Sequence, residues 1–293
     1  MTTLASLVRG MRPAHWSKNL LAFAGLFLGG RMSDAAAWQN AVLAFAALSL
    51  AASAGYLGND LRDAEADRRH PLKRARPIAS GLLSPRVALA SASGLALASV
   101  VLAACANRGV LLATCTYLAL TVAYTLILKR LRWADVATLA TLFALRVLAG
   151  TAAAGVVASP WLIAFSVAFF LSLALSKRAD DLASRPEDRM QGRAYRPVDA
   201  PAVAAMGIAL LAAATGLLAI YVIEPGYDPV HYPNSGWLWG FPLFIAAFLS
   251  RIWVLALKGR LKGDAAIAAW RDPVTLAAGA GLAFSFARAT GLI

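Results

Sequence analysis

The side chains best equipped for chemistry are concentrated in residues 59–81, which read NDLRDAEADRRHPLKRARPIASG and directly follow an apolar run over residues 41–57. In a helical conformation Asp60, Asp63 and Asp67 fall at i, i+3 and i+7, so three carboxylates share one face, with the carboxamide of Asn59 beside them. Asp63 and Asp67 are like charges at i, i+4, a spacing that costs about 0.2–0.5 kcal/mol on a solvated helix and more where water is excluded. A multivalent cation reverses the sign of that term. Mg²⁺ takes one or two carboxylates and completes its shell with water and phosphate oxygens. Lys73, Arg74 and Arg76 lie just downstream and are of the types that grip phosphate. The chemistry this pattern predicts is a Mg²⁺–diphosphate site at the mouth of a hydrophobic segment. Glu65 points away from the shared face, toward solvent or a neighbouring arginine.

Other polar groups sit where an apolar chain gives them little reason to be. Residues 177–189, KRADDLASRPEDR, set Lys177 and Arg178 beside Asp180 and Asp181 after an apolar run. Tyr124 and Lys129, at the end of another run, are either phosphate ligands or an interfacial anchor and a snorkelling lysine. Arg146 lies midway along the run over residues 135–150, DVATLATLFALRVLAG. An arginine at a helix centre in lipid costs about 2.5–3.5 kcal/mol or more, so Arg146 must face a polar cavity or partner, whether it meets a substrate or only fixes the bundle. Lys18 belongs to a basic N-terminal segment. His15, His70 and His231 are scattered and make no triad or metal motif, and no phosphate-binding glycine loop or nucleophile elbow is present. Cys105 and Cys115 lie in apolar runs without metal-ligand spacing and are expected to be packing residues.

The elements that must position these groups are membrane helices. The 293 residues are 60% hydrophobic, and the polar residues come in bursts between apolar runs of bilayer-spanning length. Hydropathy predicts nine spans, over residues 16–30, 35–57, 87–106, 110–128, 134–157, 161–176, 200–223, 237–257 and 274–293. The N-terminal segment carries cations but no short apolar core ending in a small-residue cleavage site, so the first span is expected to be retained. Alternate connections then segregate charge. Arg9, Arg12 and Lys18, the loop over 59–86, Lys129 with Arg130 and Arg132, the loop over 177–196, and Lys258 to Arg271 fall on one side, against Arg31, Arg108 and Arg288 on the other. By the positive-inside rule the basic side, including the N-terminus, is cytoplasmic. The connection over 224–236 has no Lys or Arg and is expected outside. The net charge of +13 is accounted for by this topology, which excludes nucleic acid as the expected partner and leaves lipid headgroups and phosphorylated substrates. Acid-ended runs four spans apart give a coarse echo of two similar helical halves with their charged loops forming one site.

On these residues the chain resembles the UbiA superfamily of intramembrane prenyltransferases. Asn59, Asp60, Asp63 and Asp67 match the pattern NDxxDxxxD, while RPAHWSKN (residues 12–19) and the DxxxxxxxFxxRxxAG run over 135–150 look like further superfamily segments. The resemblance implies an all-α polytopic fold of nine transmembrane helices around a central cavity, the same number that hydropathy gives. Within the superfamily, residues 59–81 look most like the decaprenyl-phosphate phosphoribosyltransferase branch. That branch moves 5-phosphoribose from phosphoribosyl diphosphate to a polyprenyl phosphate, feeding arabinose donors for the cell envelope. Aromatic prenyltransferases carry a second DxxxD motif after the sixth span, whereas here Asp181 is followed four residues later by Arg185. The resemblance implies that Asp60, Asp63 and Asp67, assisted by Asn59, hold Mg²⁺ on the donor diphosphate. Lys73, Arg74 and Arg76, or Lys177 and Arg178, would bind the donor and acceptor phosphates, with Lys18, Tyr124, Lys129, Arg146, Asp180 and Asp181 lining the substrate site. It further implies a site on the cytoplasmic side of a bacterial inner membrane. The alternatives are a prenyltransferase using the same Mg²⁺ site with an aromatic or other acceptor, and, in another class, a carrier for phosphorylated metabolites.

Overall fold

In lipid a backbone can satisfy its own N–H and C=O groups within a helix, and every regular element among the described residues is helical. The computed structural model describes residues 2–71, 73–184, 195–224, 226–261 and 268–293. Its α-helices are α1 (Thr3–Met11), α2 (Ala24–Leu28), α3 (Ala35–Arg69), α4 (Pro85–Ala106), α5 (Arg108–Leu126), α6 (Ala134–Ala153), α7 (Pro160–Ser184), α8 (Ala200–Ile223), α9 (Gly240–Leu257) and α10 (Pro273–Ala289). By length and composition, seven of the described helices are able to cross a membrane: α3 to α7, and α8 and α9 with the short 3₁₀ turns that precede them. The remaining two expected spans take a different form. The apolar stretch that follows Arg12 is a 3₁₀ helix over Pro13–Phe23 continued by the five-residue α2, and α10 has 17 residues. The 3₁₀ form gives that first stretch more reach. At about 2.0 Å per residue it extends about 22 Å, where an α-helix of the same length gives about 16 Å.

The chain divides into two compact units, the first made of residues 1–129 and 145–158 and the second of 130–144 and 159–293. In the first, α3 packs on α1, the 3₁₀ segment, α4 and α5. Its buried surface along the membrane run is mostly alanine and serine, with Ala41, Ala44, Ala47, Ala51 and Ser53 fully buried together with Leu48 and Leu57. Small side chains let backbones approach, the usual means of helix association in lipid. Asp34 caps the helix, its Oδ1 accepting from the amides of Ala36 and Ala37 at 2.9 and 3.2 Å. The 35 residues of α3 extend about 52 Å, well beyond a hydrocarbon core of about 30 Å. Its last turns therefore project past the apolar run and carry Asn59 to Asp67. Ser53 ties the N-terminal segment to α3, accepting from Trp16 Nε1 at 3.0 Å and donating to the Met11 carbonyl at 3.1 Å.

Two glycines bring the 3₁₀ segment and α2 against the end of α6. A Cβ on Gly150 would lie 2.5 Å from the carbonyl oxygen of Ala22, and one on Gly25 would lie 2.3 Å from that of Gly150. This approach places Asn19, one turn before Ala22, beside Arg146, one turn before Gly150.

The second unit contains α7 to α10, with α7 packed on α8 and α9, and α9 on α10. Its core includes Leu175, Val203, Ile252, Trp253 and Ala256. Gly207 makes room for the Trp253 indole, whose Nε1 donates to Ser172 Oγ at 2.9 Å while that hydroxyl donates to the Gly207 carbonyl at 2.8 Å. Asp272 caps α10 and accepts from Arg251 Nη2 at 2.8 Å, and that bond holds its carboxyl below the usual carboxylate range. Replacing Gly150 by Val is expected to lower the stability of the detergent-solubilised protein by about 1–3 kcal/mol or more, because the clash is with backbone that has nowhere to go. Gly94→Ala, where nothing lies within 4 Å, is expected to be neutral or slightly stabilising in the same thermal-unfolding assay.

Candidate functional site

The α3 carboxylates emerge at the C-terminal end of that helix, each in contact with a cation. Asp60 is 3% exposed and receives Arg12 Nη2 on both oxygens, at 2.6 and 2.8 Å, and Arg76 Nη1 at 3.1 Å. The same Arg76 Nη1 reaches Asp67 Oδ2 at 2.6 Å. One guanidinium nitrogen thus bridges carboxylates two helical turns apart. Asp63 takes a different partner: Lys129 Nζ lies 2.7 Å from both of its oxygens and 3.1 Å from Asn59 Oδ1. The like-charge pair at Asp63 and Asp67 is therefore relieved by separate cations. The Asp63 carboxylate, with 29% of its side chain exposed, is the most open of the three. Glu65 is exposed and pairs along the helix with Arg69 at 2.8 Å.

Each cation has its own support. Arg12 stands between α1 and the 3₁₀ segment in left-handed backbone, φ 55° and ψ 60°, a conformation costing a non-glycine residue about 1–3 kcal/mol. Its guanidinium also lies 4.9 Å from the centre of the Tyr56 ring. Arg76 is presented by the loop after α3, which is folded back by burying Ile78 and Leu83 on Leu57 and by a turn through Gly81 at φ 80°. Arg68 Nε donates to the Ala79 carbonyl at 3.4 Å across that loop. Lys129 belongs to a 3₁₀ turn, Leu128–Arg130, directly after α5. Of the three downstream cations expected at phosphate, Arg76 pairs with the carboxylates, while Lys73 and Arg74 are exposed on a one-turn 3₁₀ helix. Lys18 and Tyr124 are half-buried in the same unit.

Arg146 is 4% exposed and is held by neutral oxygens. Its Nε donates to Asn19 Oδ1 at 2.8 Å and its Nη2 to Tyr117 Oη at 2.9 Å, with the Tyr117 ring 4.9 Å from the guanidinium carbon. Asn19 in turn donates to Ser49 Oγ at 3.0 Å, which ties α6, the 3₁₀ segment, α3 and α5 into one buried polar chain.

In the second unit Arg178 is fully buried and its guanidinium is shared between two acids. Nε lies 2.6 Å from Asp135 Oδ2, Nη2 donates to Asp135 Oδ1 at 3.2 Å, and Nη1 lies 2.6 Å from Asp181 Oδ2. Asp180, 4% exposed, accepts from the backbone N–H of Leu261 at 2.8 Å, which pins the chain after α9. Lys177 is half-buried on the same turn. Arg178, expected at a phosphate, and Asp180, expected to line the substrate site, are thus both engaged with the fold, while Asp181 keeps an exposed edge. Nearby, Tyr195 Oη accepts from the backbone of Trp133 at 3.2 Å, and burial pushes its phenol up. The second half of the loop, including Arg185, lies outside the described residues.

Arg12 and Asp135 are the ion-pair partners that residue patterns alone pass over. Both had a signal. Asp135 is a lone acid opening an apolar span, where it requires a counter-charge, and Arg12 heads the RPAHWSKN segment.

Whether these side chains suit Mg²⁺ is decided by their oxygens. Carboxylate and carboxamide oxygens are the hard donors Mg²⁺ takes. Asn59 and Asp63 already converge on one cationic nitrogen, and Asp60 and Asp67 on another, so the donor set fits a cation. Among the described residues no three His, Cys, Asp or Glu side chains are arranged to hold a metal unaided, so phosphate and water oxygens would have to complete the shell.

The buried pair in the second unit carries a stability test. Arg178→Ala strands Asp135 and is expected to cost about 3–5 kcal/mol in thermal unfolding. Arg132→Ala removes the more open pair with Asp199, at 3.2 Å, and is expected to cost less than about 1 kcal/mol.

Comparison with known proteins gives a single family. The model of the UbiA prenyltransferase family matches residues 19–272. The chain is 37% identical over 283 residues to the protein y4nM of Sinorhizobium fredii, covering 95% of this chain and 55% of that one. It is 33% identical over 283 residues to the nodulation protein NoeC of Azorhizobium caulinodans, covering 93% and 89%. It is 38% identical over 178 residues to the decaprenyl-phosphate phosphoribosyltransferase of Corynebacterium glutamicum, covering 59% and 53%. The chain thus spans about half the length of y4nM and of the corynebacterial enzyme. Its fold is that of a UbiA homologue from Archaeoglobus fulgidus solved with DMAPP and Mg²⁺, at a TM-score of 0.74 and 18% identity over 97% of this chain and 98% of that one. A helical membrane fold, a family match over most of the chain and an NDxxDxxxD helix end agree: this chain is a member of the UbiA prenyltransferase family.

Proposed function

We propose that the chain is a Mg²⁺-dependent transferase that moves 5-phosphoribose from phosphoribosyl diphosphate to a polyprenyl phosphate, working at the C-terminal end of α3. The observation that carries this reading is the charge arrangement there. Asp60, Asp63 and Asp67 are matched by Arg12, Arg76 and Lys129, so an acidic site is interleaved with fixed cations. In the last turns of α7 the charged groups mainly hold the fold. A site with one acidic cluster and several cations suits two phosphorylated substrates. The partial similarity to a decaprenyl-phosphate phosphoribosyltransferase supports the same choice.

In this reading an acceptor phosphate oxygen forms a bond to the anomeric carbon of the ribose while the bond from that carbon to the diphosphate oxygen breaks, and the diphosphate leaves with the electron pair. The nucleophile is anionic at neutral pH, so no protein base has to remove a proton. Bound Mg²⁺, held by Asp63 and Asp67 with Asn59 assisting, would offset charge on the leaving group. Arg76 and Lys129 oppose the charge that develops on the departing oxygens, an electrostatic contribution that fixed groups make without reorganising. Arg12, bidentate on Asp60, holds that carboxyl in place. The polyprenyl tail stays in the bilayer, which accounts for a soluble sugar phosphate being handled at the end of a membrane helix. The basic loops support a site on the cytoplasmic side under the positive-inside rule, and in this reading the membrane is a bacterial inner membrane.

Prenyl transfer is the second reading, favoured by the Archaeoglobus homologue with DMAPP and Mg²⁺. Label transfer in membranes separates the two. With Mg²⁺ and polyprenyl phosphate, radiolabel from the ribose of phosphoribosyl diphosphate is expected in the lipid extract. Chelation should abolish it, and Asp63→Asn and Asp67→Asn should each lower it by about 10²-fold or more in folded protein. Consumption of prenyl diphosphate alone would select prenyl transfer, and transport without product would select a carrier.

A further inference from the structure

The α3 cluster is neutral without any ligand. Three carboxylates, Asp60, Asp63 and Asp67, face three cations, Arg12, Arg76 and Lys129. The cations are not equivalent. Arg12 is bidentate on Asp60 and lies over the Tyr56 ring, so its guanidinium is fixed on two sides. Lys129 is a point charge on a flexible stem, and its ammonium sits among three oxygens at 2.7, 2.7 and 3.1 Å, a place a small cation would take. Arg76 holds Asp67 and Asp60 through one nitrogen, leaving the rest of its fork to turn elsewhere.

We infer that Lys129 and Arg76 are built-in counter-ions. They hold the carboxylates in the ligand-free protein and swing to the donor's phosphates on loading, so that a divalent cation and a diphosphate bind as a mutually dependent pair. This rests on the proposed Mg²⁺–diphosphate role of the site. The electrostatic reason is direct. To receive a divalent cation alone, Asp63 must release Lys129 and Asp67 must release Arg76, leaving Lys129 with no anion and Arg76 with only its longer contact to Asp60, at 3.1 Å. To receive a diphosphate alone, the same cations must leave their carboxylates, which then face the incoming anion. When both ligands arrive, each displaced cation meets phosphate and each freed carboxylate meets metal. Arg12 stays on Asp60 throughout and keeps the helix end in register.

Isothermal titration of the full chain in detergent tests this, using Mg²⁺ alone, inorganic diphosphate alone, and each in the presence of the other, with the solution complex of the two subtracted from blank titrations. In the wild-type protein each ligand is expected to tighten the other by at least about fivefold. Lys129→Met, checked for folding by thermal unfolding, is expected to bind Mg²⁺ alone more tightly than the wild type while losing most of the coupling to diphosphate. Wild-type affinity for Mg²⁺ that is the same with and without diphosphate overturns the inference, and that measurement needs no variant. A folded Lys129→Met protein whose Mg²⁺ affinity is unchanged or weaker overturns it too. Absence of binding of the Mg²⁺–diphosphate complex in any combination fails the underlying functional reading instead, so the two failures are distinguishable.

Discussion

The structure at the end of α3 depends on one constraint, that a carboxylate removed from water must touch a cation. Asp60 is 3% exposed, and the desolvation of a bare carboxylate at that depth would cost several kcal/mol. Two guanidinium groups meet it, one from before the first span and one from beyond α3, and each requires its own scaffold. Arg12 is delivered by a residue in left-handed backbone, with Ser53 holding the carbonyl of Met11 beside it. Arg76 is delivered by a loop whose Ile78 and Leu83 are buried on Leu57. The strain at Arg12 and the apolar burial of the loop both serve a polar end, since neither guanidinium stays in register if its segment is free to move.

The same economy runs through the membrane-embedded part of the first unit. Lipid offers no hydrophobic reward for pressing one apolar helix on another, so association rests on close packing and internal polar bonds. The alanine face of α3 and the contact between Gly25 and Gly150 supply the first. The chain from Ser49 through Asn19 to Arg146 and Tyr117 supplies the second. These are not separate devices. Asn19 reaches Arg146 because the glycines bring Ala22 against Gly150, and larger side chains there would break the polar chain as well as the packing.

Much of this was legible in the sequence. A 60% hydrophobic chain with bilayer-length runs could only be helical, and the i, i+3, i+7 spacing of Asp60, Asp63 and Asp67 set them on one face of a helix that does continue to Arg69. The cost of Arg146 in lipid required a polar partner, although not which one. What the sequence left open came from long-range geometry. Nothing local tells that Arg76 turns back to the carboxylates while Arg74 and Lys73, two and three residues earlier, are exposed. The 3₁₀ form of Pro13–Phe23 was hidden because hydropathy measures transfer energy and is blind to rise per residue. The partner that Arg178 meets was equally hidden, since Asp135 is 43 positions away.

That last case sharpens where chemistry belongs in this chain. Charged residues in a membrane protein are expensive, so each must be accounted for by structure or by function. Arg178, Asp135 and Asp180 are accounted for by structure: they are buried, and their partners are an ion pair and a backbone amide. The α3 group differs in kind. Its acids are satisfied, yet Asp63 and Lys129 remain partly open to water, at 29% and 14% side-chain exposure, and Arg76 at 24%. A purely structural pair gains from closing that edge, as Arg178 and Asp135 do at 0% and 1%, while Asp181 on the same guanidinium stays open at 27%. Keeping it open costs stability and leaves ions that a ligand can reach and exchange. That exposure supports the proposal that a substrate binds at the end of α3, and Asp181, at 27% side-chain exposure, keeps a similar open edge on the Arg178 cluster.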